Sequence, residues 1–112
     1  MPETPCIDIQ PKHWEIVRAI LHKHVPQYEV WAFGSRVKRT AKQHSDLDLA
    51  VITDQPLPLI VSANLSHDFS ESDLPWKVDV VDWAITRAPF RKIIEQDSVV
   101  VQVGTVPANA LL

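Results

Sequence analysis

The sequence predicts an α/β (α+β) domain in which a small mixed sheet of three to four strands is flanked by helices. Three observations carry that expectation. Segments with apolar residues at three-to-four spacing alternate along the chain with short runs of β-branched and aromatic residues. Nine prolines against two glycines put firm stops between those segments. A length of 112 residues, 46% of them hydrophobic, suffices for one core and not for two, so residues 1–112 read as a single domain with short tails at both ends.

Element by element, Pro11 suits the first turn of a helix, and Trp14, Val17, Ile20 and Leu21 form an apolar stripe through PKHWEIVRAILHKHV. After Pro26 the run YEVWAF reads as a strand that ends in the turn Gly34-Ser35, where Ser35 is placed to cap a short helix through Thr40. Asp46 to Thr53 (DLDLAVIT) alternates acid and apolar residues, then turns wholly apolar, as a strand does when it passes from a solvated end into a buried centre. Pro56 to Asp73 carries Leu57, Ile60, Val61, Leu65 and Asp68 at helical spacing and is stopped by Pro75. Lys77 to Trp83 (KVDVVDW) is a third strand, Thr86 to Gln96 a last helix with Pro89 in its first turn, and SVVVQV a short additional strand.

Composition removes several classes of function. The longest stretch between two charged residues, Gln55 to His67, is broken by Pro56, Pro58, Ser62 and Asn64, and it falls short of the roughly 20 apolar residues of a membrane span. Met1 to Gln10 has neither the basic start nor the apolar run of a signal peptide, and the lone Cys6 can form no internal disulfide, so a cytoplasmic location is expected. With 11 Lys+Arg against 14 Asp+Glu the formal charge is −3, which argues against direct binding of nucleic acid through phosphate neutralisation.

The chemistry begins at Asp46 and Asp48. Two residues apart on a strand, they project from one face with their attachment points about 7 Å apart. Like charges so held, partly desolvated beside apolar Leu47 and Leu49, are relieved when a hard cation such as Mg²⁺ takes oxygen ligands from both. Asp79, between Val78 and Val80 in the third strand, is placed to add a third carboxylate, and three such acids suit a two-metal site for in-line nucleotidyl transfer. Asp82 is the alternative, although its odd offset from Asp79 turns it to the other face. An isolated D-x-D is more often a solvated surface pair; its neighbour changes the odds. From Gly34 to Ser45 the chain reads GSRVKRTAKQHS, with Arg36, Lys38, Arg39 and Lys42 and no acid. Gly34-Ser35 allows close backbone approach and offers amides and a hydroxyl to phosphate oxygens, with Arg36 as a further donor. A chance match to Gly34-Ser35, ten residues, Asp46-Leu47-Asp48 is on the order of one in a thousand for such a chain.

GSRVKRTAKQHSDLDLAV followed by KVDVVDW resembles the minimal nucleotidyltransferase (MNT) family of the DNA polymerase β superfamily, in particular the antitoxin partners of HEPN-domain toxins, over about residues 11–102. The resemblance implies the nucleotidyltransferase fold, a Gly34-Ser35 turn that holds the triphosphate of ATP, and divalent metal on Asp46 and Asp48, with Asp79 completing the site or activating the attacking hydroxyl. It also implies transfer of AMP to a tyrosine hydroxyl of a partner HEPN toxin, in a hetero-oligomer or alongside a homodimer. Family members often have glycine where this chain has Arg39, so the helix after the Gly34-Ser35 turn is expected to be shaped differently, which bears on the triphosphate geometry more than on the metal ligands.

Two rival functions accompany that reading. The chain could act as an antitoxin by complex formation and occlusion alone, or as a small-molecule adenylyltransferase of the antibiotic-resistance type, which normally carries a further substrate-binding domain. Four tryptophans, Trp14, Trp31, Trp76 and Trp83, are read as packing groups rather than a base-stacking platform. His22 and His24, two apart on a helix, point in different directions and make a poor metal pair.

Overall fold

The computed structural model describes residues 4–105; the first residues of the leader reading and the end of the C-terminal tail lie outside them. Helix α1 (Pro11–His24) leads to strand β1 (Glu29–Phe33), a one-turn helix α2 (Ser35–Lys38), strand β2 (Leu47–Ile52) and helix α3 (Leu59–Ser70). Strand β3 (Val78–Asp82) then runs through a 3-10 turn (Trp83–Ile85) into helix α4 (Ala88–Gln96) and strand β4 (Ser98–Gln102). The four strands form one mixed sheet in the order β3-β2-β1-β4. β1 is antiparallel to both β2 and β4, and β2 is parallel to β3.

Strand alternation sorts side chains between two unequal faces. Leu47, Leu49 and Val51 of β2, with Val30 and Ala32 of β1, meet Trp14, Val17 and Leu21 of α1 and Leu65 and Phe69 of α3 in the main core. A fully buried leucine or valine contributes about 1.5–3 kcal/mol, so this face carries most of the stability. The intervening residues point the other way, where Phe33 and Ala50 are covered by Ile94 of α4, with Trp31, Ile52, Val81 and Trp83 at the margin. Asp48 and Asp79 belong to this second, thinly covered face, because Leu47, Leu49, Val78 and Val80 all pack on the first. Asp68 ties α3 to α1, accepting from Lys23 Nζ at 3.2 Å and pairing with His24 Nε2 at 2.6 Å.

Several expected boundaries move, each for a visible reason. Helix α3 begins at Leu59 rather than Pro56 because the Leu57 amide donates to Asp82 Oδ2 at 2.7 Å and holds the run-in extended. The third strand stops at Asp82, whose carboxylate accepts from Ala84 N at 3.2 Å and turns Trp83 into the 3-10 helix. Helix α4 starts at Ala88, since Thr86 is still extended and its hydroxyl donates to Asp82 O at 2.7 Å. The run SVVVQV forms a strand over its first five residues, Ser98–Gln102, paired along β1.

Candidate active site

Three adjacent strands assemble the site. β2 runs into the sheet from Asp46, and its Asp48 lies opposite Asp79 in the parallel register with β3. On the other side Asp48 faces Phe33, the last residue of β1, so the chain next turns through Gly34 directly beside the carboxylate. With strands about 4.8 Å apart, Asp79, Asp48 and the Gly34-Ser35 turn lie side by side across one end of the sheet.

Gly34 is required there on two counts. Its φ of 81° lies where side chains are strained, and a Cβ at this position would collide with Asp48 Oδ2. The turn and the carboxylate are therefore packed backbone to side chain, and a larger residue would push them apart. Gly34, rather than Ser35, is the capping residue of α2; Ser35 is its first helical residue, and the expected side-chain cap does not form. The Ser35 hydroxyl is thus not spent on capping the helix.

The electrostatics match the crowding. Burial raises the Asp48 carboxyl above its ordinary range, and the facing Asp79 and the preceding Asp46 raise it further. Such a group holds a negative charge at a cost, and a divalent cation offsets it. The donor set consists of carboxylate oxygens, the ligands Mg²⁺ takes, and Asp79 is exposed while Asp46 and Asp48 are half-buried, so the three fit a site reached from solvent. Among the described residues no three acidic, His or Cys side chains are already closed on one point. The carboxylates share a face without converging, as like charges do.

Arg36 departs from its expected role. Read from sequence as a phosphate donor, it is turned inward and only 5% exposed. Its Nε and Nη2 donate to Ser45 O at 3.1 and 2.7 Å, its Nη1 to Asp8 O at 2.7 Å, and the guanidinium lies 4.3 Å from the Trp76 ring centroid. The exposed cations of the segment are Lys38, Arg39 and Lys42. Arg39, where family members are expected to have glycine, adopts φ 61° and ψ 32°, the left-handed shape glycine favours, so the arginine bears backbone strain there.

Other candidates resolve as structure. Asp82 faces away from the site and accepts from Thr53 Oγ1 and the Leu57 amide. Trp14 and Trp76 are in the core, while Trp31 and Trp83 meet edge to face at 5.3 Å beneath α4. His22 is exposed, and His24 is the partner of Asp68. A large cavity, about 650 Å³ and lined by Pro56, Leu57, Val80, Ile85 and Phe90, opens at the far end of β3 from Asp79, so the metal-site candidates Asp46, Asp48 and Asp79 do not line it.

A mixed sheet with paired acids at the mouth of one strand, a third acid on its neighbour and a glycine turn against them defines a nucleotidyltransferase. The chain belongs to the family described as "Polymerase beta, Nucleotidyltransferase", whose model matches residues 15–103. It is 53% identical over 96 residues to the Haemophilus influenzae protein named "Probable protein adenylyltransferase MntA", covering 86% of this chain and 84% of that one. Its fold matches a toxin–antitoxin crystal structure with AMP-PNP at a TM-score of 0.68, with 23% identity and coverage of 88% and 78% of the two chains. It also matches a tri-AMPylated Shewanella oneidensis HEPN toxin in complex with MNT antitoxin at a TM-score of 0.64, with 21% identity and coverage of 92% and 79%. Among the described residues no helix is long and apolar enough to cross a membrane.

Proposed function

We propose that this protein is a Mg²⁺-dependent adenylyltransferase antitoxin that moves AMP from ATP to a tyrosine hydroxyl of a partner HEPN toxin in the cytoplasm. The observation that carries the proposal is Asp48, set between Asp79 and the Gly34-Ser35 turn and raised in pKa by burial and by its two acidic neighbours. The chemistry named for the relatives agrees with it: the MntA protein is named an adenylyltransferase, one matched complex contains AMP-PNP, and another contains an AMPylated HEPN toxin.

Asp46, Asp48 and Asp79 would hold Mg²⁺, which when bound neutralises charge on the triphosphate and on the departing pyrophosphate. The Gly34-Ser35 turn seats phosphate oxygens beside those acids. The acceptor oxygen forms its bond to the α-phosphorus as the bond to the bridging oxygen of pyrophosphate breaks, and Asp79, exposed beside Asp48, is placed to take the hydroxyl proton.

Complex formation without catalysis has an observation of its own. Leu59 (86% exposed), Ile85 and Phe90 present apolar surface at the large cavity, and Ile60 and Ile93 are further exposed apolar residues of α3 and α4. One experiment separates the readings. The protein is incubated with the HEPN partner, ATP and Mg²⁺, and both chains are weighed by intact mass, with the Asp46→Ala/Asp48→Ala double variant as control. One or more AMP groups on the partner, absent with the variant, is the expected result. A stable complex with no mass change, together with full protection of cells by the double variant, would leave occlusion as the function. AMP appearing on an aminoglycoside without any partner would point instead to small-molecule transfer.

A further inference from the structure

We propose that Arg36 is the positioning residue of the metal-binding carboxylates, an internal bracket that fixes Asp46-Leu47-Asp48 against the Gly34-Ser35 turn. The inference rests on the nucleotidyl-transfer reading above and adds a residue that touches neither nucleotide nor acceptor. A guanidinium only 5% exposed has lost most of its hydration, and a methionine or leucine would fill the same space without that cost. What an apolar side chain cannot do is grip backbone carbonyls.

The grip is specific to the site. Nε and Nη2 both close on Ser45 O, the carbonyl immediately before Asp46, at 3.1 and 2.7 Å. The end of that loop is itself tied, with Ser45 N donating to Lys42 O at 3.1 Å and Lys42 N to Ser45 Oγ at 2.8 Å. Nη1 reaches Asp8 O at 2.7 Å while Asp8 N returns a bond to Arg36 O at 2.8 Å, so the arginine is anchored at both ends. Trp76 lies under the guanidinium, and the next residue, Lys77, accepts from Leu47 N at 2.9 Å as the chain enters β3 toward Asp79. One side chain in the phosphate-side helix therefore holds the run-in to Asp46 and Asp48 directly and the run-in to Asp79 through Trp76. None of these hydrogen bonds belongs to the sheet ladder; they bear on the loops that carry the carboxylates, with Trp76 as the one contact to the main core. Partners that orient metal ligands are typically worth 10–100-fold in affinity.

The test is Mn²⁺ binding to the full chain, read by electron paramagnetic resonance without substrate, for wild type, Arg36→Lys, Arg36→Ala and Asp48→Asn. Lysine keeps the charge but not the planar fork. Both Arg36 variants are expected to bind Mn²⁺ at least about tenfold more weakly. With ATP and the HEPN partner, the Mg²⁺ activation constant should rise in parallel, while KM for ATP at saturating Mg²⁺ moves less than about threefold. The cavity of about 220 Å³ that Arg36 lines with Asp8, His13, Lys42 and Trp76 lets small cations in, so added guanidinium should restore Mn²⁺ affinity to Arg36→Ala and ammonium should not. Should Arg36→Ala fail to fold, Arg36→Lys decides the matter by the same titration. Wild-type Mn²⁺ affinity in a folded Arg36 variant, with binding lost in Asp48→Asn, would overturn this inference alone. Wild-type affinity in Asp48→Asn as well would overturn the metal-site reading beneath it.

Discussion

Asp48 is held at a cost that only its chemistry explains. Burial, then Asp79, then Asp46 push its carboxyl upward, so the fold binds that proton more tightly than the open chain does. The stability such a group contributes is complete below its ordinary value of 3.8 and is lost as pH climbs through the raised one. At neutral pH the ionised side chain therefore destabilises the metal-free protein. Asp48→Asn should raise the Tm of that form at pH 7, the gain should vanish as pH falls toward 3.8, and AMP transfer should drop more than about 100-fold. Unchanged Tm at pH 7 would mean that the carboxylate is not strained. Arg39 carries a second local cost, a left-handed backbone at φ 61° on a residue with a Cβ. Arg39→Gly should stabilise the protein by about 0.5–1 kcal/mol, less than the full relief because glycine loses more freedom on folding. Thermal unfolding at fixed pH reads this directly, and a lower Tm would show that the Arg39 side chain contributes more than its backbone costs.

Strand β3 carries two acids that sequence alone offers as alternatives, and the pleat gives them separate duties. Asp79 shares the face of Asp48, whereas Asp82 turns toward α3, where it accepts from the Leu57 amide at 2.7 Å and sets the 3-10 turn through Ala84 N at 3.2 Å. The two substitutions should therefore fail in opposite ways. Asp82→Ala is expected to cost about 1–3 kcal/mol in urea unfolding, the penalty for stranding partly buried donors, with Mg²⁺ dependence and turnover per folded molecule retained. Asp79→Asn is expected to leave stability near wild type and to remove transfer. If Asp82→Ala abolished activity in folded protein, the assignment of the third acid would have to move. The same contacts explain why α3 begins three residues late: a long-range carboxylate claims the Leu57 amide that helical periodicity alone would assign to the first turn.

Across the whole molecule, what could be read in the sequence was what is local. The spacing from Gly34-Ser35 to Asp46 and Asp48, the apolar centre of β2 and the stripe on α1 depend on neighbours within a few residues, and the fold has them as expected. Arg36 could not be read that way, because its partners come from Asp8, Ser45 and Trp76, brought together only by the closed sheet. Nor does periodicity reveal that α4 leaves the acids' face thinly covered, since that depends on how one short helix lies across four strands. Charge is likewise distributed rather than local. A chain of net charge −3 places exposed Lys38, Arg39 and Lys42 on the segment that joins the phosphate turn to the carboxylates. If ATP is the substrate, as proposed, such a cationic rim beside the acids would draw in an ATP⁴⁻ that the molecule as a whole would repel. Lys38→Glu combined with Lys42→Glu should raise KM for ATP about tenfold at low ionic strength, and the gap should narrow as salt shortens the screening length to a few ångströms. Mn²⁺ affinity, set by the carboxylates, should not weaken in the same variant. A KM that stays at the wild-type value in low salt would confine the steering to the turn itself and leave the exposed lysines as ordinary solvated surface.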